Sequence, residues 1–243
     1  MKNKGIIFIT LLTFMSLSCI GCVDITSMID SYAEHERNKP IEFVEEKYGI
    51  ELEPVSYESG GFVSDADIIE CHTEGLNPEH ESVKIRISSK NGKTIYQDNY
   101  FNYIGRDMLE AHVLPYVEEG FDSPKIYLQN MDVYHPNDIN YGSTVQDLFD
   151  STPHYRISVL VFVKEDGSTQ EEYEERMLAV EDAIKESGDA IQLKLLVVKE
   201  ELYDAVDRYT ISEFWESIHH SNKPDNENLF FIYSHIIRDG ERQ

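Results

Sequence analysis

The sequence predicts an α+β protein, because a block of short alternating strands is followed by a strand–helix–strand unit. In the first half, strand patterns separated by turn-forming residues cover 50–59, 67–73, 83–88 and 94–103. An antiparallel meander is expected there, since Asn91-Gly92 favours the positive φ angles of a two-residue hairpin turn. In the second half, residues 157–163 and 191–198 are nearly continuous apolar runs, which is typical of strands buried on both faces.

Helices are predicted to flank the meander. Apolar residues at helical spacing predict a short helix over 41–48, which Gly49 ends, and a longer one over 106–119 with a kink at Pro115. A strand is predicted at 125–133. The first half is therefore expected to run helix, meander, helix, strand.

The second half contains the clearest helix signal. Thr169 and Glu172 fit a capping box, an apolar stripe follows, and Gly188 provides a stop. The helix is expected to connect the two apolar strands as a βαβ-like crossover. The remaining predicted elements are two short helices and one strand, at 202–207, 212–220 and 229–237.

Composition shifts divide the chain into five predicted segments. These are a signal peptide at 1–21, a stalk or tether at 22–40, an α+β domain at 41–133, a linker at 134–142 and a βαβ-like second domain or subdomain at 143–243. The linker is placed where turn-forming residues cluster.

The charge balance limits the partners. The chain has 21 basic and 46 acidic residues, with a formal net charge of −25. Such a chain is not expected to bind nucleic acid, because that requires neutralising phosphates. Anionic lipid head groups would also repel it, so its own surface is not expected to dock on a membrane.

The N-terminus has the pattern of an export signal. Lys2 and Lys4 precede nineteen uncharged residues at 5–23, as a basic region precedes an apolar one in secretory signals. Two cysteines, Cys19 and Cys22, each follow a small residue. An uncleaved membrane anchor is the alternative, since nineteen uncharged residues could just span a bilayer.

The segments Ser16-Leu17-Ser18-Cys19 and Cys19-Ile20-Gly21-Cys22 resemble the lipobox of bacterial lipoproteins. This resemblance implies a diacylglyceryl group on the cysteine thiol, cleavage just before that cysteine, and a lipid anchor facing the extracytoplasmic side. Cys22 is the preferred attachment site, with Cys19 as the alternative. The block Glu45-Glu46-Lys47-Tyr48-Gly49 is similar to what occurs in uncharacterised lipoproteins of Gram-positive bacteria.

Common catalytic motifs are absent from the sequence: it has no phosphate-binding loop, no nucleophile elbow and no His-Glu-x-x-His. Cys71 and His72 are adjacent, yet consecutive strand side chains point to opposite faces. A buried structural cysteine is therefore expected rather than a nucleophile. The tyrosines and Phe101 of the 94–103 strand are expected to pack, with an exposed aromatic surface as the alternative.

Two weak candidate metal sites can be read from the sequence. Helical spacing places Glu213, Glu216 and His220 on one side of the 212–220 helix, as half of a possible metal site. A helix pair and a dipole-complementing histidine explain them more simply. The second candidate is a calcium site formed by Asp132, His135, Asp138 and Asn140. Their spacing is not that of a calcium-binding loop, so we interpret them as turn-forming residues.

These observations predict a membrane-tethered extracytoplasmic lipoprotein without catalytic activity. Its expected partner is an envelope protein, a peptide or a cell-wall component, and no cofactor is predicted. The alternative is an extracytoplasmic hydrolase or a divalent-cation-dependent protein, whose site is assembled only in three dimensions.

Overall fold

The computed structural model describes residues 38–60, 66–151, 154–210, 229–238 and 241–242. The chain divides into two compact units, residues 1–50 and 51–243. The described part of the first unit is a helix, α1, over 38–48. It ends where Gly49 adopts φ +66° and donates its N–H to the Glu45 carbonyl at 2.7 Å. The predicted helix is confirmed, although it also includes Pro40, which was assigned to the stalk.

The second unit begins with a four-stranded sheet in the order β1-β2-β3-β4. Its strands are β1 (Glu53–Glu58), β2 (Ala66–His72), β3 (Val83–Lys90) and β4 (Lys93–Asp98). All three pairings are antiparallel, which confirms the predicted meander. Asn91 and Gly92 have φ +55° and +73° at the β3–β4 turn, as a two-residue hairpin of this type requires.

Strand β1 lies at one edge of this sheet, and all six of its residues are exposed. Pro54 removes one backbone donor, and a register shift between Pro54 and Ser56 marks a bulge. The strand is tied to its neighbour by side chains, since the Tyr57 hydroxyl donates to Asp67 at 2.8 Å. Proline, a bulge and charged ends are features that limit pairing with a further strand.

The predicted strand at 94–103 is wrong beyond Asp98. The Tyr100 N–H donates to the Asp98 carboxylate at 3.1 Å, and the Asn102 N–H donates to the Asn99 carbonyl at 3.0 Å. These local bonds turn the backbone into helix α2 (Phe101–Ile104). Tyr100 and Phe101 are buried, so the expected packing of these aromatic side chains is confirmed.

Three elements follow before the second sheet is complete. They are α3 (Arg106–Glu118), β5 (Lys125–Leu128) and α4 (Val145–Ser151). Helix α3 agrees with the prediction and contains Pro115. Strand β5 stops five residues before the predicted end at position 133, and α4 was not predicted.

The second sheet has the order β5-β6-β7-β8-β9. Its other strands are β6 (Ile157–Lys164), β7 (Ile191–Val198), β8 (Leu229–Arg238) and β9 (Glu241–Arg242). Strands β6 and β7 are parallel, with Ile157 opposite Ile191, and the other pairings are antiparallel. The crossover is α5 (Gln170–Ser187), and α6 (Glu200–Ala205) follows β7. The α+β class and the βαβ-like unit are thus as predicted.

Helix α5 begins and ends at the predicted residues. Both hydrogen bonds of the capping box between Thr169 and Glu172 are present, and Gly188 caps the helix at φ +80°. Its stripe of Tyr173, Met177, Val180 and Ile184 is buried against β6, β7 and α3. Each such side chain contributes about 1.5–3 kcal/mol by leaving water. Helix α6 packs on the opposite face, over Leu160, Phe162, Leu196 and Val198.

Both sheets belong to the unit of residues 51–243. The linker at 134–142 and the domain bounds on either side of it stay predictions. None of the helices in the described part of the chain has the length and apolar character needed to cross a membrane.

Candidate functional site

A fully buried polar network lies where β4 ends. Its side chains are Asp98, Asn99, Asn102 and His135. The side-chain oxygen of Asn99 accepts the backbone N–H of Lys84 at 2.7 Å. Its side-chain nitrogen donates to the backbone carbonyls of Ser82 at 3.3 Å and Met131 at 2.9 Å. One asparagine therefore joins β3 to the segment that follows β5.

Asn102 continues the network. Its amide nitrogen donates to the Val133 carbonyl at 2.8 Å, and its oxygen lies 2.7 Å from Nε2 of His135. The backbone N–H of His135 donates to the backbone carbonyl of Asp98 at 2.7 Å. These bonds hold the segment after β5 against the end of β4. Strand β5 ends at Leu128 because the Asn130 side chain takes the place of the backbone in bonding to β6 and the residue before it.

Next to this network lies a cleft of about 160 Å³, here termed the arginine cleft. It is lined by His80, Glu81, Tyr103, Arg106, Leu128, Met131, Arg208 and Tyr209. The network fixes one wall through the Met131 backbone, and the Tyr103 hydroxyl donates to the Ser82 carbonyl at 2.9 Å. The cleft is therefore held in shape by hydrogen bonds to backbone atoms.

Arg106 is the most constrained side chain of the arginine cleft. It is 9% exposed, and its Nη2 donates to Glu81 at 2.6 Å. The guanidinium also lies 5.5 Å from the centre of the Tyr103 ring, within the range of a cation–π contact. Its Nε is buried and has no hydrogen-bond partner among the described residues. A buried charged donor without an acceptor is costly, and because solvent does not reach this atom, it lies beneath the surface of the cleft.

Arg208 forms the other basic wall. Its two terminal nitrogens donate to Glu110 at 2.7 and 2.9 Å, and Glu110 also accepts the Leu128 N–H at 2.8 Å. A paired guanidinium–carboxylate contact of this kind has fixed geometry. Beside it, the rings of His80 and Tyr209 stack with centroids 5.2 Å apart.

A larger cleft of about 780 Å³, here termed the acidic cleft, lies at the carboxyl end of β6. Open sheets commonly form crevices where successive connections leave to opposite faces, and α5 and α6 do so here. Gly120 allows the close approach of α5, because a Cβ there would lie 2.7 Å from the Arg176 carbonyl oxygen. The acidic wall residues are Glu118, Glu119, Asp122, Glu165 and Asp166.

Asp166 is satisfied within the acidic cleft. It accepts from Arg176 at 2.7 Å, from the Tyr173 hydroxyl at 2.8 Å and from the Ser168 N–H at 3.0 Å. The hydrogen bond from Arg176, followed by that from Ser168, holds the pKa of Asp166 well below its usual range. This carboxylate is ionised, and its hydrogen bonds hold the start of α5 to the loop before it.

A third cleft of about 480 Å³ has a mixed polar lining that includes Asp132, His154, Tyr155 and Arg156. Tyr155 is buried, and its hydroxyl has no hydrogen-bond partner among the described residues. Burial raises the pKa of this phenol. Its ring packs against those of His135 and Phe149, and a neutral hydroxyl costs less to bury than a guanidinium.

The candidate residues at both ends of the chain lie outside the described residues. These are Cys19 and Cys22, with the signal peptide at 1–21, and Glu213, Glu216 and His220, with the 212–220 helix. The lipid attachment and the metal candidate therefore stay predictions, and so does the alternative of an enzyme that depends on them.

The other candidate functional residues named from the sequence lie within the described ranges. Cys71 is fully buried, as expected of a structural cysteine, and His72 is partly exposed. The four mid-chain residues are not brought together: Asp132 pairs with Lys84 at 2.7 Å and Asp138 accepts from Ser151 at 2.9 Å. Asn140 accepts the Gly142 N–H at 2.9 Å. The described residues contain no group of three or more His, Cys, Asp or Glu arranged to hold a metal ion.

The arginine cleft itself was not predicted from the sequence. Arg106 and Arg208 are far apart in the chain, and their partners Glu81 and Glu110 form no recognisable motif with them. The only available signal was the scarcity of basic residues, 21 against 46 acidic ones.

Comparison with known proteins identifies no family for this chain. No protein-family model matches the chain, and no curated protein or solved structure is significantly similar to it.

Proposed function

We propose that this chain is a lipid-tethered extracytoplasmic protein that binds a partner of the cell envelope without catalysing a reaction, and that the arginine cleft is its ligand site. The observation that carries the binding site is a cleft whose two guanidinium groups, those of Arg106 and Arg208, are each held in place by a carboxylate.

The cleft is preorganised for binding. Its walls are held by Glu81 on Arg106, by Glu110 on Arg208 and by Asn99 on the Met131 backbone. A ligand that enters therefore orders few side chains, and less of its interaction energy is lost on binding. Preformed clefts with a few fixed polar groups are typical of binding sites.

The tether is supported by charge and by the N-terminal sequence. With a net charge of −25, the protein is repelled by anionic lipids. Its attachment to a membrane therefore requires a covalent lipid or another hydrophobic anchor. A lipid on Cys22, or on Cys19, would provide it. One acyl chain binds membranes only marginally and two bind firmly, which suits a diacylglyceryl group.

The tether is tested by intact-mass analysis of protein extracted from membranes. The expected mass is that of a chain beginning at Cys22 and carrying a diacylglyceryl group. Cys22→Ala should yield unlipidated chain, whereas Cys19→Ala should keep the lipid. An unmodified mass for the full chain, retained in the membrane, would instead establish the uncleaved anchor.

The binding site is tested by cross-linking the full chain in intact envelopes. Arg106→Lys keeps the charge beside Glu81 but lacks the planar, forked donors of a guanidinium, so it should lose the cross-linked partner. Arg176→Lys is the matched control, because Arg176 also pairs with a carboxylate but lies in the acidic cleft. Equal cross-linking by wild type and both variants would reject the arginine cleft as the ligand site.

A further inference from the structure

We infer that the hairpin of β3 and β4 orients the tethered protein on the membrane, by placing Lys90 and Lys93 against anionic lipid head groups. The lipid attaches the chain, and the hairpin determines which side of the second unit faces the bilayer. This inference rests on the proposed tether, and it uses no residue that lines the arginine cleft.

The hairpin concentrates positive charge in an acidic chain. Residues 83–97, here termed the basic hairpin, contain four basic residues and no acidic one, whereas the whole chain has 21 basic and 46 acidic residues. The four are Lys84, Arg86, Lys90 and Lys93. An anionic surface would therefore meet local attraction here, although the protein as a whole carries a net charge of −25.

The tip of the basic hairpin extends beyond the pairs described for the neighbouring strand β2. The last of those pairs joins Ala66 and Ser88, whereas the pairs of β3 with β4 continue to Lys90 and Lys93. Residues 89–94 are all exposed. The turn at 91–92 closes this two-stranded tip with positive φ angles, so the two lysines are held in a defined position at the surface.

Both lysines at the tip are without a partner in the described part of the chain. They lie opposite each other, and like charges at such positions destabilise a strand pair. Lys84, by contrast, pairs with Asp132 at 2.7 Å. The tip therefore presents two charges that are not neutralised, and an external anionic surface would relieve their mutual repulsion.

A third charge lies on the same face of the basic hairpin. Arg86 lies four residues before Lys90, and alternate residues of a strand share a face. Its guanidinium has no carboxylate partner among the described residues and lies 5.9 Å from the centre of the Tyr134 ring. Between these charges lies Ile95, which is partly exposed and pairs with Ser88. Cations around one apolar side chain suit a bilayer interface, where head groups meet acyl chains.

The basic hairpin suits a broad surface better than a small anion. None of the three clefts described above is lined by residues 83–97. Small ligands are usually enclosed in concave sites, and an exposed tip encloses nothing. A bilayer needs no cavity, because its anionic lipids form an extended negative surface.

The proposed tether makes a weak contact sufficient. The 15 residues at 23–37, between Cys22 and the described chain, span at most about 50 Å, so the bilayer stays within reach of the protein. Contact is then intramolecular, with an effective concentration on the order of millimolar. Each lysine near an anionic surface favours contact about fivefold, so a few such charges are enough to select one orientation.

The net negative charge does not prevent this contact. At physiological salt, charges separated by more than about 8 Å are largely screened. On β2, the described carboxylate closest to the tip is that of Asp67, which lies opposite Ile87. Ile87 precedes Lys90 by three residues, or about 10 Å along the strand. Asp67 also accepts hydrogen bonds from the Tyr57 hydroxyl and the Gly60 N–H, so its carboxylate is held at the sheet.

The test measures how fast each lysine is acetylated by an uncharged reagent in the full chain, extracted from membranes with its lipid. The protein is reconstituted into phosphatidylcholine vesicles, with or without phosphatidylglycerol, and peptide mass spectrometry identifies the modified residues. Lys199 is the internal reference, because it is exposed and has no partner among the described residues. Lys93→Glu is compared with Lys199→Glu, which changes the net charge equally.

Phosphatidylglycerol is expected to slow the acetylation of Lys90 and Lys93 at least about fivefold relative to Lys199. Added salt should remove the effect. Lys93→Glu replaces an attraction with a repulsion, so Lys90 should then react at nearly the same rate in both kinds of vesicle. Lys199→Glu should keep the wild-type protection. The comparison of the two kinds of vesicle with wild type needs no variant, so it holds even if a variant fails to fold.

Equal relative rates in the two kinds of vesicle would overturn the inference, as would protection that persists at high salt. Protection in native envelopes but in neither kind of vesicle would also overturn it, because the hairpin would then bind another component of the envelope. If intact mass shows the lipid while both lysines stay unprotected, the tether stands and the orientation fails. A chain found with neither lipid nor an intact N-terminal segment would reject both.

Discussion

Replacing Asn99 with alanine tests the buried network that shapes the arginine cleft. The Asn99 side chain is fully buried and makes three hydrogen bonds, all to backbone groups, on Ser82, Lys84 and Met131. Alanine removes all three bonds at once and creates no new charge. After the change the Lys84 N–H loses its side-chain acceptor, whereas the Ser82 carbonyl keeps the Tyr103 hydroxyl at 2.9 Å and the Met131 carbonyl keeps the Asn102 amide at 3.4 Å.

The expected cost follows mainly from the Lys84 N–H, because a buried group left unsatisfied costs about 1–3 kcal/mol. The two carbonyls each lose one bond, worth about 0.5–1.5 kcal/mol, and the bond to Ser82 is long, at 3.3 Å. We expect Asn99→Ala to lower the free energy of unfolding by about 2–4 kcal/mol, a large share of the roughly 5–15 kcal/mol typical of a folded domain.

The measurement is urea unfolding followed by circular dichroism, with midpoint and slope fitted for wild type and variant. Asn137→Ala is the matched control, since Asn137 is exposed and its replacement should change stability by less than about 0.5 kcal/mol. A loss below about 1 kcal/mol for Asn99→Ala, at unchanged slope, would refute the reasoning that these groups depend on Asn99.

Three further predictions concern other parts of the second unit. Thr169→Ala removes the capping-box side chain of α5 and should cost about 1 kcal/mol in the same unfolding assay. The pKa of Asp166 is lowered by Arg176, so its contribution to stability is complete above its ordinary pKa of 3.8 and is lost as pH falls below it. Asp166→Asn should therefore reduce the stability difference between about pH 5 and about pH 3. Cys71 is fully buried, so in a chain with both N-terminal cysteines replaced it should react with a thiol reagent only when denatured.

Each of these predictions has a result that contradicts it. Glu172→Ala should cost less in the Thr169→Ala background than in wild type, and full additivity would deny the reciprocal cap. An unchanged acid sensitivity in Asp166→Asn would mean that other carboxylates dominate it. Rapid modification of Cys71 in the native chain would show that β2 opens readily.

Elements with local signals were predictable from the sequence. The Asn91-Gly92 turn, the Thr169 cap and the continuous apolar runs of β6 and β7 each act through neighbouring residues or burial, and each was found where expected. Helix α4 carries a weaker signal in only seven residues. Short elements depend on their surroundings more than on propensity.

Errors arose where polar groups divert the backbone from sheet pairing. The strand predicted at 94–103 ends early because Asp98 and Asn99 bond to the residues just after them, and the one at 125–133 because the Asn130 side chain bonds to β6. The arginine cleft was missed because Arg106 meets Glu81 only through the fold. A polar residue that follows a strand pattern gives no sign of whether it will be buried.

The edge strand β1 has a consequence for the lipid anchor that we propose. Molecules confined to one leaflet meet in two dimensions, with fixed orientation and at high local density. Under those conditions an open strand would favour lateral growth of a sheet from one copy to the next. Pro54 and the bulge beside it interrupt the row of donors that such growth needs. Strand β1 is therefore unsuited to join neighbouring copies that are tethered as proposed.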